Sequence, residues 1–188
     1  MTAISMTSEL EAVNTLLDAI SEAPVSSLSA SGVMDLASAR ATLSEVSREV
    51  QQKGWAFNTE AEYPLPRNVE GKVPVPENAL KIIVGSVDAV QRGSFLYNRE
   101  KHSPLFDATV QAEVIFCLPW DELPQAARHY IMIKASRIFQ VRRLGSDIQF
   151  KFSDSQEDNG LQAMNEAEGA VGGYNVFNSQ HALDIISR

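Results

Sequence analysis

One cysteine, three histidines and no apolar run of bilayer length leave this 188-residue chain with few features that announce a chemistry. Cys117 alone cannot form an intrachain disulfide, which suits folding in a reducing cytoplasm. His102, His129 and His181 stand far apart and outside any HExxH or CxxC arrangement, so a zinc site has no local support. A phosphate-binding GxxxxGK[ST] loop, a GxGxxG turn opening a helix and a GxSxG elbow are all missing, and with them the usual signatures of nucleotide binding and of hydrolase nucleophiles. Positive charge is scarce as well: 16 basic against 24 acidic residues give a formal net charge of −8. A protein that holds duplex DNA by neutralising phosphates needs a concentrated basic surface, and only residues 121–150 are net positive, at +2. The N-terminus shows no basic stretch followed by an apolar one, and nothing approaches the roughly 18–20 apolar residues that span a bilayer. The expectation is a chain without a standard export signal or membrane span.

What is present is a hydrophobic share of 44%, too high for a disordered chain. At this length about 70% of the unfolded surface is buried on folding, enough to stabilise a domain without a metal or disulfide. The patterning predicts an α+β fold, a bundle of about four helices with a small antiparallel β-subdomain inserted. Residues 1–60 read as a helical hairpin and 61–120 as the β-rich part. Residues 121–188 read as a core helix, an acidic helix and a tail that complete the bundle.

Ser8 and Glu11 form a capping-box pattern, and Leu10, Val13, Leu16, Leu17 and Ile20 follow at helical spacing until Pro24 and a serine run break it. A second helix is predicted over 33–53 from Leu36, Ala39, Leu43, Val46 and Val50, with Lys53 and Gly54 as a cationic last turn and left-handed cap. Trp55 and Phe57 are expected to close the hairpin's end as core residues. Between 63 and 118, Pro64, Pro66, Pro74 and Pro76 punctuate the chain, and short β-branched runs predict strands at Leu80–Val84, Ser94–Tyr97 and Thr109–Leu118. In the last, Val110, Ala112, Val114 and Phe116 alternate with Gln111 and Glu113, as a strand with one buried face does. A third helix should begin at Pro124 in its first turn, behind Asp121 and Glu122, and end at Gly145. Tyr130 to Ile133, apolar nearly all round, make it the buried centre. A weaker acidic helix is expected over 153–169, with Leu161, Met164 and Ala167 inward and Gly160 a weakness.

Two groups of side chains could carry chemistry. Asp121 with Glu122, or Asp154 with Glu157 and Asp158, could serve as paired carboxylates for glycan hydrolysis, but the first pair is better explained by dipole complementation at a helix start and the second group by a solvated acidic face. The basic cluster Arg128, Lys134, Arg137, Arg142 and Arg143 either meets a neighbouring subunit or pairs with acids of its own chain. The tail ends in a sticky apolar run, Leu183, Ile185 and Ile186.

Four blocks in order then resemble one family. They are SELEAVNTLL from Ser8 with Ile20, Glu22, Pro24 and Val25; REVQQKGWAFN from Arg48; LPWDELPQAARHYIMIKASRIFQVRRLG from Leu118 to Gly145; and GGYN at 172–175. Together they resemble the tail tubular protein A family of short-tailed, T7-like bacteriophages, over nearly the whole chain, with 61–110 the least similar part. The resemblance implies a structural role rather than catalysis and no cofactor. It implies a dodecameric adaptor ring between the capsid portal and the tail nozzle (tail tubular protein B), which seats tail fibres and lines part of the DNA exit channel. It also implies residence in the virion tail after assembly in the host cytoplasm. In such a ring Arg137, Arg142, Arg143, Gly172, Gly173, Tyr174, Asn175, Leu183, Ile185 and Ile186 are the expected contacts with neighbours or portal. Glu45, Glu49 and the acidic helix are the candidates to face the channel, where DNA slides past without specific binding because phosphates meet no cation.

Overall fold

The computed structural model describes residues 5–29, 34–145 and 154–172. Four helices and five strands occur among them: α1 (Glu9–Ala19), α2 (Met34–Gln51), β1 (Thr59–Leu65), β2 (Ala79–Val84), β3 (Ala89–Arg92), β4 (Phe95–Asn98), β5 (Val110–Phe116), α3 (Gln125–Leu144) and α4 (Asp154–Gly172). The fold is α+β, with the strands inserted between α2 and α3.

The capping box forms as written in the sequence. The Glu11 amide donates to Ser8 Oγ at 3.2 Å while the Ser8 amide donates to the Glu11 carboxylate at 2.7 Å, so two orphan donors of the first turn are satisfied. These bonds also hold the Glu11 carboxyl below the usual carboxylate range. Val13, Leu16 and Leu17 of α1 and Leu36, Leu43, Val46 and Val50 of α2 then bury one stripe each against α3. Helix α3 contributes the largest fully buried side chains, Tyr130 and Phe139, and touches each of the other three helices. Pro124 is its N-cap rather than a first-turn residue, and a short 3₁₀ turn at Trp120–Glu122 precedes it. Gly145 ends it with φ +81°.

Helix α4 departs from expectation on its inward face. Met164 is buried and Leu161 half-buried, but Ala167 is exposed, and the contact is made instead by Gly160. An added Cβ at Gly160 would lie 3.5 Å from Tyr130 Cδ2 and Ile133 Cδ1, ordinary van der Waals contact. Gly160→Ala is therefore expected to stabilise the chain by about 0.5–1 kcal/mol, through lower unfolded-state entropy and better helix propensity. A thermal or urea titration that shows a loss instead would mean that the two helices approach too closely for a methyl group.

A three-stranded antiparallel sheet runs β1-β5-β2, and β3 pairs with β4 in a second layer. Strand β5 alternates as its sequence predicts, with Val110, Ala112, Val114 and Phe116 facing Leu65, Val73, Leu96 and Phe106 in a second core. Strands β1 and β3 were not expected. The first reads TEAEYPL, with few β-branched residues, and exists because β5 offers a paired edge; a bulge between Glu60 and Tyr63, with Glu62 at φ +53°, accommodates its irregular register.

The two cores meet at a polar hub. The Gln51 side chain, fully buried, accepts from the Leu118 amide at 2.7 Å and donates to the Leu118 carbonyl at 3.1 Å. Asn58, also buried, donates to the carbonyls of Gln51 (3.0 Å) and Phe116 (2.7 Å) and accepts from the Trp55 amide at 2.9 Å. Trp55 and Phe57 do close the end of the hairpin. Between them and the helix, Gly54 turns the chain at φ +81°, where a Cβ would stand 2.8 Å from Ile115 Cδ1.

Candidate functional site

The basic cluster resolves into separate partnerships. Lys134 donates to Glu49 at 2.8 Å; burial works against its charge, but the Glu49 bond and the surrounding carboxylates hold its pKa above the usual value. In the last turn of α3, Arg142 forks onto both oxygens of Glu45 at 2.7 and 2.9 Å, which holds the Glu45 carboxyl below its ordinary range. Arg143 reaches Asp35 at 2.7 Å. Arg137 faces the other way, to Glu157 at 2.6 Å and Asp154 at 3.1 Å on α4. Arg128 is buried and bonds no acid; its guanidinium donates to the carbonyls of Leu123 (2.8 Å), Thr7 (3.0 Å) and Asp121 (2.7 Å). The helical period thus sorts the cations by angle around α3: 134 and 142 toward α2, 137 toward α4, 128 toward the start of α1. Val141 and Leu144, each more than a third exposed, flank Arg142 and Arg143 at the end of α3.

The carboxylates singled out for acid–base work take up other duties. Glu157 and Asp154 share Arg137, and Asp121 and Glu122 are exposed in the 3₁₀ turn, where the Asp121 carbonyl serves Arg128. His102 and His129 are both exposed. Among the described residues no group of three or more His, Cys, Asp or Glu could hold a metal ion. An open cleft of about 650 Å³ lies where the bundle meets the sheet, lined by Leu43, Arg48, Leu80, Cys117, Leu118 and Trp120. Burial there raises the Cys117 thiol pKa, the opposite of what a reactive thiolate needs.

A surface that the sequence reading missed lies on the second β-layer. Gly93, at φ +63°, turns β3 into β4 and sets Arg92 opposite Phe95 and Val90 opposite Tyr97. The Arg92 guanidinium stacks 3.6 Å from the centre of the Tyr97 ring, and Lys72 sits over Phe95 at 5.7 Å. Alternation of Val90 with Arg92 and of Phe95 with Tyr97 about that glycine was the available signal.

Of the expected contact residues, Gly172 closes α4, while Gly173, Tyr174, Asn175, Leu183, Ile185 and Ile186 lie outside the described residues.

A helical core with an inserted sheet and a surface of paired charges is what the fold presents, and comparison with known proteins gives its family. The family model described as "Tail tubular protein" matches residues 10–174. The chain belongs to that family, and is a structural protein of a bacteriophage tail. A similar curated protein is tail tubular protein A of Klebsiella phage KP34, 25% identical over 144 residues that cover 76% of each chain.

Proposed function

We propose that the chain forms a dodecameric ring joining the capsid portal to the tail nozzle, tail tubular protein B, that it helps seat the tail fibres, and that it forms part of the DNA exit channel. The ring assembles in the host cytoplasm and acts in the virion as structure rather than catalyst. The observation that carries this reading is the family match along 165 of 188 residues, from 10 to 174.

Charge supports it. The cations of α3 are held by acids of the same chain or by backbone carbonyls, so a ring of twelve such chains, each at −8, offers a passing duplex little to grip. At the end of α3, the exposed Val141 and Leu144 beside Arg142 and Arg143 have the mixed apolar and arginine character of subunit contacts. Together with Arg137, Gly172, Gly173, Tyr174, Asn175, Leu183, Ile185 and Ile186, they form the proposed contact with neighbours and portal.

Light scattering behind a sizing column, on the chain alone and mixed with its portal, tests the reading. A stoichiometric ring on the portal is the expected result. A lone 20.6 kDa species in both runs would overturn it.

A further inference from the structure

We propose that the outer face of the β3–β4 layer is one half of the contact between neighbouring copies, and that it receives the solvent face of α4 from the next copy. The inference rests on the ring reading above and adds which surfaces meet.

The layer is wider than its two named strands. The amide of Val75 donates to Ser94 O and that of Leu96 to Val73 O; bridges join Pro74 to Phe95 and Lys72 to Leu105. Residues 72–75 and the turn at 105 therefore extend the hairpin sideways. Strand alternation sends Val73, Leu96 and Phe106 into the second core and leaves Arg92, Phe95, Tyr97, Lys72, Pro74 and Leu105 on the other face. None of these six is fully buried, and Leu105 is half exposed. Two aromatic rings, each under a cation, have the composition of the energetic centre of a protein contact.

Charge selects the occupant. Arg99, Lys101 and Lys72 are tied to Asp88, Asp107 and Glu70, whereas Arg92 has a ring beneath it and no carboxylate partner among the described residues. A guanidinium held flat in this way keeps its N–H fork free for a carboxylate at little further cost in side-chain freedom. Helix α4 is the complement: over Asp154–Gly172 it carries five carboxylates and no basic residue. Asp154 and Glu157 are engaged by Arg137 and Glu168 by the Ala56 amide. Asp158 and Glu166 have no cation partner among the described residues and are exposed, one turn either side of Gln162 on a single stripe; Glu166 accepts from Gln162 Nε2 at 2.9 Å, and Ala163, Ala167 and Ala170 are exposed beside the stripe. Those alanines, one of which was expected in the core, let a flat aromatic face approach the helix closely. Two different surfaces that complement each other across copies make a head-to-tail contact, the kind that closes into rings.

The test places a photo-crosslinking amino acid at position 97 of the full chain, in assembled tails, and maps the adducts. Links from 97 into residues 154–172 of a second copy are expected. Links to another segment of a second copy, or to another tail protein, would overturn this assignment and leave the ring reading standing; a single copy per tail would overturn both. Charge reversal is the second measurement, with ring formation on the portal as its readout. Arg92→Glu alone, or Asp158→Lys with Glu166→Lys, should weaken association about tenfold or more, and the combination should restore it. All three positions are exposed, so the variants should melt as the parent does. Unchanged association of the single-side variants, or no recovery in the combination, would overturn the proposal.

Discussion

Asn58→Ala should lower the stability of the chain by about 2–4 kcal/mol, read as a fall in the urea midpoint at unchanged slope. The side chain is nearly solvent-free and makes three bonds to backbone groups of the α2 terminus and the sheet. Truncation leaves the Trp55 amide without its acceptor and removes a donor from the Phe116 carbonyl, whereas the Gln51 carbonyl keeps the Gly54 amide. Asn58→Asp separates the contributions. It preserves the acceptor for Trp55 but points a buried anion at two carbonyls, so it should be worse than Ala at neutral pH and recover as the solution is acidified toward protonation of the new carboxyl. A loss under about 1 kcal/mol for Ala would mean that water replaces the amide and that the hub is not dry.

Arg128→Met should cost about 3–4 kcal/mol while nearly conserving volume, because three bonds to carbonyls disappear together. Thr7 is the focus of that site: its carbonyl also accepts from Trp120 Nε1 at 2.9 Å, and its amide donates to Gln125 at 2.8 Å. The segment before α1 is thereby fastened to the start of α3, far away in sequence. Hydrogen exchange should show the first turn of α1 losing protection in the variant while the middle of α3 keeps it. Arg128→Lys should recover only part of the loss, since one ammonium cannot reproduce a planar fork aimed at three carbonyls. A Met variant as stable as the parent would show that the arginine's burial costs as much as its bonds return.

Local signals were readable where one residue type does one job. The capping box, the Gly54 and Gly145 stops, the alternation of β5 and the buried middle of α3 all depend on neighbours in sequence. What escaped depends on partners far away. Strand β1 has no strand-like composition and forms because β5 lies beside it; Gly160 reads as a flaw in a helix until Tyr130 is seen against it. Arg137 and Arg142 look like one patch at helical spacing, but they point at different helices, each with an acid waiting. The tail tubular family was legible in four ordered blocks, and the family match covers nearly the same span, residues 10–174. The hairpin face went unseen because its residues come from the bridged segment 72–75, β3, β4 and the 105 turn, which only the fold brings together.

The clasp between Gln51 and Leu118 bears on how such a chain diverges. The backbone leaves the bundle just after Gln51 and re-enters it at Leu118, and the glutamine amide bonds both main-chain groups of the returning residue. Departure and return are thus adjacent, and beyond the Trp55–Asn58 turn, which packs into the bundle, the strands from β1 to β5 are a cassette hung from that junction. Substitutions, insertions or wholesale exchange within the cassette alter no loop length in the bundle, and they leave α1, α2 and α3 packed as before. Selection can rework the sheet for a new partner while the helical frame stays under its own, older constraints.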